Sequence, residues 1–409
     1  MASGSNKSSL RTLGLQHSGI IVDPPVTSNS VLKFNPDVIK QDAQDTRVVV
    51  HYRFPELVER FIAHKRTYGS RYEKILYSSD WTWQQQVARL LKKRPLVFIG
   101  AYDHTILRNG QTLFIGAEEW DRVGTEEEYK NKYLSLSEYL SYDEIMLGSF
   151  IGVSGPSYFI NDGNRSNNAI PMKPGTFESR GIIVGLVGAR FERGDRMDSV
   201  LMTRSVAKPR QHPELTKLLQ DFLGVARAPS TQFNIDVYIA RIKITAAILL
   251  LEANIRARAA GKKAHVYVVG LGLGVWQCNK QQPTAYMRAF IETLEELGLT
   301  LQHIGTLEFA WISVPPDIQH TTKATAGKFG IKVKFTQRNP AAKLQGEDEN
   351  QLLVLSYAWD GNAFPGNEYW EGSLSSSGDP AAACMSTIAE LHNPFINPDF
   401  TRRVKVLEA

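Results

Sequence analysis

Cysteine is scarce: only Cys278 and Cys384 occur in 409 residues, so no disulfide scaffold holds the chain, and the two are too far apart in sequence for a zinc-ligand spacing. The nine histidines make no HExxH or comparable spacing, so no metal site is indicated. No apolar run is long enough to cross a bilayer, and the amino-terminal stretch around Lys7 and Arg11 lacks the apolar segment of a signal peptide. A cytoplasmic protein without a membrane partner is therefore expected. Charge of one sign is also limited, with 47 Lys and Arg against 42 Asp and Glu. That balance suits anionic small molecules as well as nucleic acid, but no long basic run is present and no nucleic-acid partner is expected. What the chain does have is 43% apolar residues and enough length for two or three ordinary domains, or for one enlarged α/β domain with additions.

Residues 1–45 are rich in Ser, Asn, Gln and Pro with little apolar periodicity, and are expected to form a disordered lead. Helices are predicted from Pro55 to about Lys65, where Leu57, Val58, Phe61 and Ile62 recur on one face, and from Trp83 to Lys92. Residues 94–100 read as a strand, and 112–120 as a short one after the Asn109-Gly110 turn. Gly155-Pro156 and the polar loop 161–168 interrupt the next stretch, and the β-branched run 180–192 suits a buried strand. The longest helix is predicted from Asn234 to about Ala260, with Ile235, Ile239, Ile242, Ala246, Leu249 and Leu250 at intervals of three and four. There follow a strand at 264–270, a glycine-rich loop, a helix from Pro283 to Leu297 and a strand at 304–312. A basic loop, a half-exposed strand at 331–335 and a last strand at 352–359 complete the order. This alternation argues for a three-layer α/β core over 181–409, preceded by a mainly helical addition or cap over 46–180.

The segment 353–391 is the richest in chemistry. A strand there feeds a loop holding Asp360, Asn362, Asn367 and Glu368, and Asp379 follows at an expected helix start, the place where α/β sheets present their ligand sites. A carboxylate beside an anomeric carbon stabilises the charge that develops as a glycosidic bond breaks, and a second can activate water. Plainer readings exist: Asp379 precedes Pro380 and three alanines, as an N-cap would, and Asp360 precedes Gly361, as turn chemistry permits. Glu368, set beside Tyr369 and Trp370, fits a plain surface turn less well. A second constellation is Gly270, Gly272 and Gly274 with Val275 and Trp276, where glycine backbone can approach a pyrophosphate, unless it is simply a tight turn. A dinucleotide fold would place its third glycine one position later and begin a helix at once, which counts against a nicotinamide-dependent oxidoreductase. Asn161, Asp162, Asn164 and Arg165 could bind a polar ligand or form an exposed loop, and Arg190, Glu192 and Asp198 read as a structural ion pair. Trp276, Phe364 and Trp370 are candidates for stacking on a base or sugar and equally for the core.

The segments VYVVGLGLGVW, AWDGNAFPGNEYW and SGDPAAACMSTIAELHNP, together with 139–165 and 181–199, resemble the divergent macrodomain-type ADP-ribosylhydrolases typified by the Legionella effector MavL and its eukaryotic relatives. The likeness covers most of the chain after residue 90. It implies a macrodomain-like mixed sheet whose element order is rearranged, because the ribose loop follows the phosphate loop. It further implies that Gly270, Gly272, Gly274, Val275 and Trp276 wrap the diphosphate of ADP-ribose, while Asn362, Gly366, Asn367 and Trp370 line the ribose side. Asp360, standing where an ordinary macrodomain carries asparagine, would share catalysis with Glu368 and Asp379. The implied reaction removes ADP-ribose from a modified protein, mono-ADP-ribosylated ubiquitin foremost, by hydrolysis of an N-glycosidic bond at the distal ribose, and it needs no cofactor. The competing reading is a module that binds ADP-ribose without cutting it.

Overall fold

The computed structural model describes residues 10–16, 19–20, 22–100, 102–204, 208–225, 232–375 and 378–408. Among them, the strands are β1 (Arg47–His51), β2 (Val97–Ile99), β3 (His104–Ile106), β4 (Thr112–Leu113), β5 (Ile151–Tyr158), β6 (Arg180–Leu186), β7 (Ala264–Val269), β8 (Ile304–Ala310), β9 (Lys332–Thr336), β10 (Leu352–Ala358) and β11 (Val404–Leu407). β2, β3 and β4 form a small antiparallel sheet. The other eight make one sheet in the order β11-β1-β5-β6-β10-β7-β8-β9, in which β5 alone runs against its neighbours. The fold is therefore mixed α/β with a large, mostly parallel sheet, and both faces of that sheet are covered. On β5, Ser154 hydrogen-bonds Glu252 of the long helix Ile235–Ala259, whereas Ser157, three residues on and facing the other way, bonds Thr387 near the carboxyl end of the chain. Parallel strands buried on both faces read as near-continuous apolar runs, and β7, from Ala264 to Val269, is one apart from His265, which pairs with Glu308.

Local chemistry sets the helix ends. Thr82 and Gln85 form a capping box at the start of Trp83–Lys92, and the Asn234 side chain accepts from the Val237 amide to open Ile235–Ala259. Helices Phe54–Tyr68 and Gln282–Leu297 also fall where their apolar periodicity puts them.

Four expectations are corrected. Part of the lead expected to be disordered is ordered: Leu10, Leu13, Leu15 and Ile20 are buried, and Asn35 caps a helix from Pro36 to Asp45. Residues 1–9 lie outside the described residues. Gly155-Pro156 lies inside β5, since β1 pairs with β5 only as far as Ser154 and Pro156 needs no donor on that side. The strand expected at 112–120 shrinks to Thr112–Leu113 and gives way to a helix, Ala117–Arg122, anchored by buried Trp120. Finally, the basic loop after β8 contains a helix, Pro316–Gly327, because joining parallel neighbours β8 and β9 requires a crossover.

The division at 180 falls between β5 and β6, hydrogen-bonded neighbours from Val153 opposite Gly185 to Tyr158 opposite Arg180. One apolar cluster runs from Val48 on β1 through Ile183 on β6 to Leu407 on β11.

Candidate active site

β6, β10 and β7 are adjacent and parallel, so the loops leaving their carboxyl ends meet at one edge of the sheet. The β6 loop brings Gly188, Arg190 and Glu192, the β7 loop brings Gly270 to Trp276, and the β10 loop brings Asp360 to Trp370. Glycine lets the first two touch backbone to backbone. A Cβ on Gly188 would lie 2.6 Å from the Leu271 carbonyl carbon and 2.7 Å from the Gly272 nitrogen. Gly272 has φ +76°, and its own Cβ would sit 2.9 Å from the Ala189 carbonyl oxygen. Gly274 has open space around it and Val275 is 93% exposed, so the tip of this loop faces solvent while Trp276 is buried at its base.

In the β10 loop a short helix, Asn367–Glu371, starts at Gly366, whose φ of +77° suits glycine and whose Cβ would meet that of Ala383 at 2.9 Å. Asp379 accepts from the amides of Gly366 at 3.1 Å and Asn367 at 2.9 Å. It does cap a helix, but the preceding one: its own helix, Gly378–Met385, already includes it. Asn367 ties the acids together. Its amide nitrogen donates to Asp360 at 2.9 Å while its oxygen accepts from the Phe98 backbone on β2 at 2.7 Å. Glu368, half-buried on the same short helix, lies close enough to raise the proton affinity of both aspartates.

Burial dominates the electrostatics. It pushes Asp360 up to about 7, with Glu192 and Glu368 adding to the rise and Arg190 and the Asn367 hydrogen bond opposing it. Asp379 is raised by burial and by Asp360, against the two amides that favour its charged form. Glu192 moves the other way: burial would raise it, but Arg190 and the Trp276 indole more than offset this and leave it lowered. A carboxyl that titrates near neutrality can take or give a proton at working pH, and neighbours that titrate apart from it can divide the remaining roles.

Around these acids lie buried polar atoms without protein partners. Asn362 is 1% exposed, and neither its amide nitrogen nor its oxygen has one. Trp370 Nε1 and Arg94 Nη2 are in the same condition. Arg94, fully buried against the Trp359 ring, spends another nitrogen on the Gly361 carbonyl. Such orphans are uncommon in native interiors and each asks for a partner.

Asp360, Glu368, Asp379, Asn367 and Gly366 are thus brought together, and the glycine loop lies next to them. Phe364 is a wholly buried core residue with its ring centroid 5.6 Å from that of half-buried Phe395, and Trp370 packs at 5.6 Å on Tyr369. The 161–168 loop is largely bonded within itself and to Asn339, although Asn167 also reaches Ala381 of the Asp379 helix. Arg190 and Glu192, read from sequence only as an ion pair, do pair, and they stand within the site; Asp198 instead meets Arg241 and the Arg190 amide. Their signal was the polar turn directly after a buried strand, but its neighbours were not legible. Among the described residues no cluster of three His, Cys, Asp or Glu could hold a metal ion, and no helix is long and apolar enough to cross a membrane.

The sequence is similar to those of known proteins. Two ADP-ribosylarginine hydrolases of Drosophila melanogaster align with nearly the whole chain. CG3568 is 36% identical over 403 residues, covering 88% of this chain and 77% of the relative. CG2909 is 34% identical over 405 residues, covering 88% and 78%. The profile of the family described as ADP-ribosylhydrolase MavL-like matches residues 25–211 and 208–407, both sides of the site included. The chain belongs to the family of MavL-like ADP-ribosylhydrolases.

Proposed function

We propose that the protein hydrolyses the N-glycosidic bond between the distal ribose of ADP-ribose and an arginine side chain of a modified protein. The observation that carries this reading is the group of acids at the sheet edge, with Asp360 pushed up to about 7, next to a glycine loop built for close backbone approach. The diphosphate rests on the backbone of Gly270, Gly272, Gly274 and Val275, and the ribose sits towards Asn362, whose orphaned carboxamide suits sugar hydroxyls. Breaking the bond builds positive charge on the ribose, which Glu368 and Asp360 stabilise; the bonding pair leaves with the arginine nitrogen, water adds to the anomeric carbon, and Asp360 takes the water's proton and returns it to the departing guanidine. Asp379 holds the Asn367–Glu371 turn in place and so aims both. The two relatives, named for ADP-ribosylarginine, favour arginine as the linked residue, and mono-ADP-ribosylated ubiquitin is the carrier to test first.

The domain is macrodomain-like with permuted element order, a reading supported by the ligand loops at the carboxyl ends of β7 and β10. Free thiols at Cys278 and Cys384 suit the cytoplasm. Residues 46–180 form the wall that recognises the protein carrier, and Tyr102, Phe114 and Ile115, each more than 70% exposed in the turns flanking the small sheet whose β2 strand grips Asn367, offer it an apolar surface. The deciding experiment follows ADP-ribosylated ubiquitin by mass over time. Loss of the ADP-ribose mass with the wild type, abolished in Asp360→Ala and Glu368→Ala while the fold is kept, is expected. Binding without mass loss would establish the reader module instead, and full turnover in both variants would overturn the catalytic assignment.

A further inference from the structure

One cation touches all three loops of the site. Arg190 Nη1 donates to the Asp360 carbonyl at 3.2 Å, Nη2 pairs with Glu192, and the guanidinium lies 4.6 Å from the centre of the Trp276 ring. Its own backbone amide is fixed by Asp198 at 2.9 Å, and Asp198 is in turn faced by Arg241 at 3.4 Å. Arg190 is 4% exposed, so it is not a solvated surface charge that happens to lie near. A planar guanidinium can donate at its edges and stack with its face at the same time, which an ammonium cannot. Here the donors serve the β6 and β10 loops while the guanidinium lies over the indole of the β7 loop.

The geometry points to Arg190 and Glu192 as a positioning pair that clasps the glycine loop to the acidic loop and sets the local field at Asp360. This inference rests on the hydrolase reading for its catalytic consequence, but not for its structural content. The charged groups facing Asp360 are Arg190 and Glu192 from the β6 loop, Glu368 from its own loop and Asp379 from the Gly378–Met385 helix. Arg94, at the end of Trp83–Lys92, meets the adjacent Gly361 carbonyl and feels Arg190. Of these, Arg190 and Glu192 oppose one another: the cation favours a charged Asp360 and the anion disfavours it. A purely structural brace would damage the site in the same direction whichever partner is removed. A field-setting pair must show opposite signs.

The test follows the Asp360 carboxyl by 13C NMR titration of full-length protein labelled at aspartate, with the resonance identified by its loss in Asp360→Asn. Arg190→Gln is expected to move the Asp360 midpoint to higher pH and Glu192→Gln to lower pH, each by about one pH unit. Arg190→Lys should hold the midpoint near the wild-type value while weakening ADP-ribose binding, because the charge remains and the stacked fork is lost. With ADP-ribosylarginine as substrate, the acid limb of the pH–rate profile should move with each midpoint. Shifts of the same sign in Arg190→Gln and Glu192→Gln, or no shift in either, would overturn the inference. Should Arg190→Gln fail to fold, Glu192→Gln decides alone: a lowered midpoint supports the pair, and an unchanged or raised one refutes it. Absence of turnover in the wild type would defeat the hydrolase reading and leave the titration to judge Arg190.

Discussion

Replacing Asp360 by asparagine should stabilise the protein at pH 8 and have almost no effect on stability near pH 4. The reason is the direction of its proton affinity. Burial raises the folded-state value from the ordinary 3.8 to about 7, so the folded chain holds the proton more tightly than the unfolded chain does. The favourable contribution of the neutral acid is complete below pH ~4. It falls as the pH climbs towards 7, because the unfolded chain is then relieved of its proton while the folded one must keep it or bear a buried charge. Roughly three pH units separate the two values, and at about 1.4 kcal/mol per unit the ceiling is about 4 kcal/mol. Part of that penalty is shared with Asp379, whose titration is joined to that of Asp360, so ~2 kcal/mol is expected from the single change. Asparagine keeps the acceptor that Asn367 Nδ2 uses, and nothing else need move. Thermal midpoints of wild type and variant, measured at pH 5 and pH 8, should diverge by roughly 2 °C at pH 8, at about 1 °C per kcal/mol for a chain of this size. A variant less stable than wild type at pH 8, or an equal offset at both pH values, would refute the placement of Asp360 as a buried, proton-retaining acid.

Gly188→Ala should lower stability by ~1–3 kcal/mol and weaken ADP-ribose binding, since its Cβ would strike the backbone of Leu271 and Gly272; Gly274→Ala, with open space, should spare the thermal midpoint and weaken binding alone. Calorimetric titration with ADP-ribose, beside melting curves, separates the two. Asp379→Ala should cost about 1–3 kcal/mol in urea unfolding by stranding the amides of Gly366 and Asn367, whereas Asp379→Asn, which keeps an acceptor for one amide and turns a donor towards the other, should lose roughly half as much. Glu390, pushed up to about 7 by burial, accepts from the Val31 amide at 2.6 Å and the Ser30 hydroxyl at 3.1 Å. Its raised value means that stability declines between about pH 4.5 and 7, so proteolysis of the 22–34 segment should be faster at pH 8 than at pH 5.5, with the difference removed in Glu390→Gln.

What could be read from sequence was what is local. Helices Trp83–Lys92 and Ile235–Ala259 emerge within a residue or so of their expected ends because Thr82 with Gln85, and Asn234, mark their starts by side-chain capping. The helix Pro316–Gly327 was missed although Pro315, Pro316 and Asp317 open it, because its buried face is made of Thr322, Thr325 and Ala326, too small and polar to stand out as an apolar stripe. The order in the amino-terminal lead was missed for a related reason: Leu10, Leu13, Leu15 and Asn29 are fixed by partners far along the chain, Asn29 by the Ala383 and Ser386 carbonyls.

The site divides along the same line, and the division explains its chemistry. Asp360, Glu368 and Asp379 stood out because carboxylates after an apolar strand are locally conspicuous, but what makes an acid useful is its surroundings, and those come from elsewhere. Phe98 on β2 orients Asn367, Arg190 reaches Asp360 across 170 residues, and Gly188 lets the glycine loop close against β6. Each depends on β6, β10 and β7 lying side by side, an order no consecutive reading of the chain supplies. Burial is the link between these contacts and function. The walls that desolvate Asp360 make its charge unfavourable in the folded state, and the same penalty brings its proton exchange near neutral pH, where the proposed proton transfer would use it. Stability given up at one carboxyl and a proton available at that carboxyl are therefore one physical quantity, and a substitution that recovers the first must remove the second.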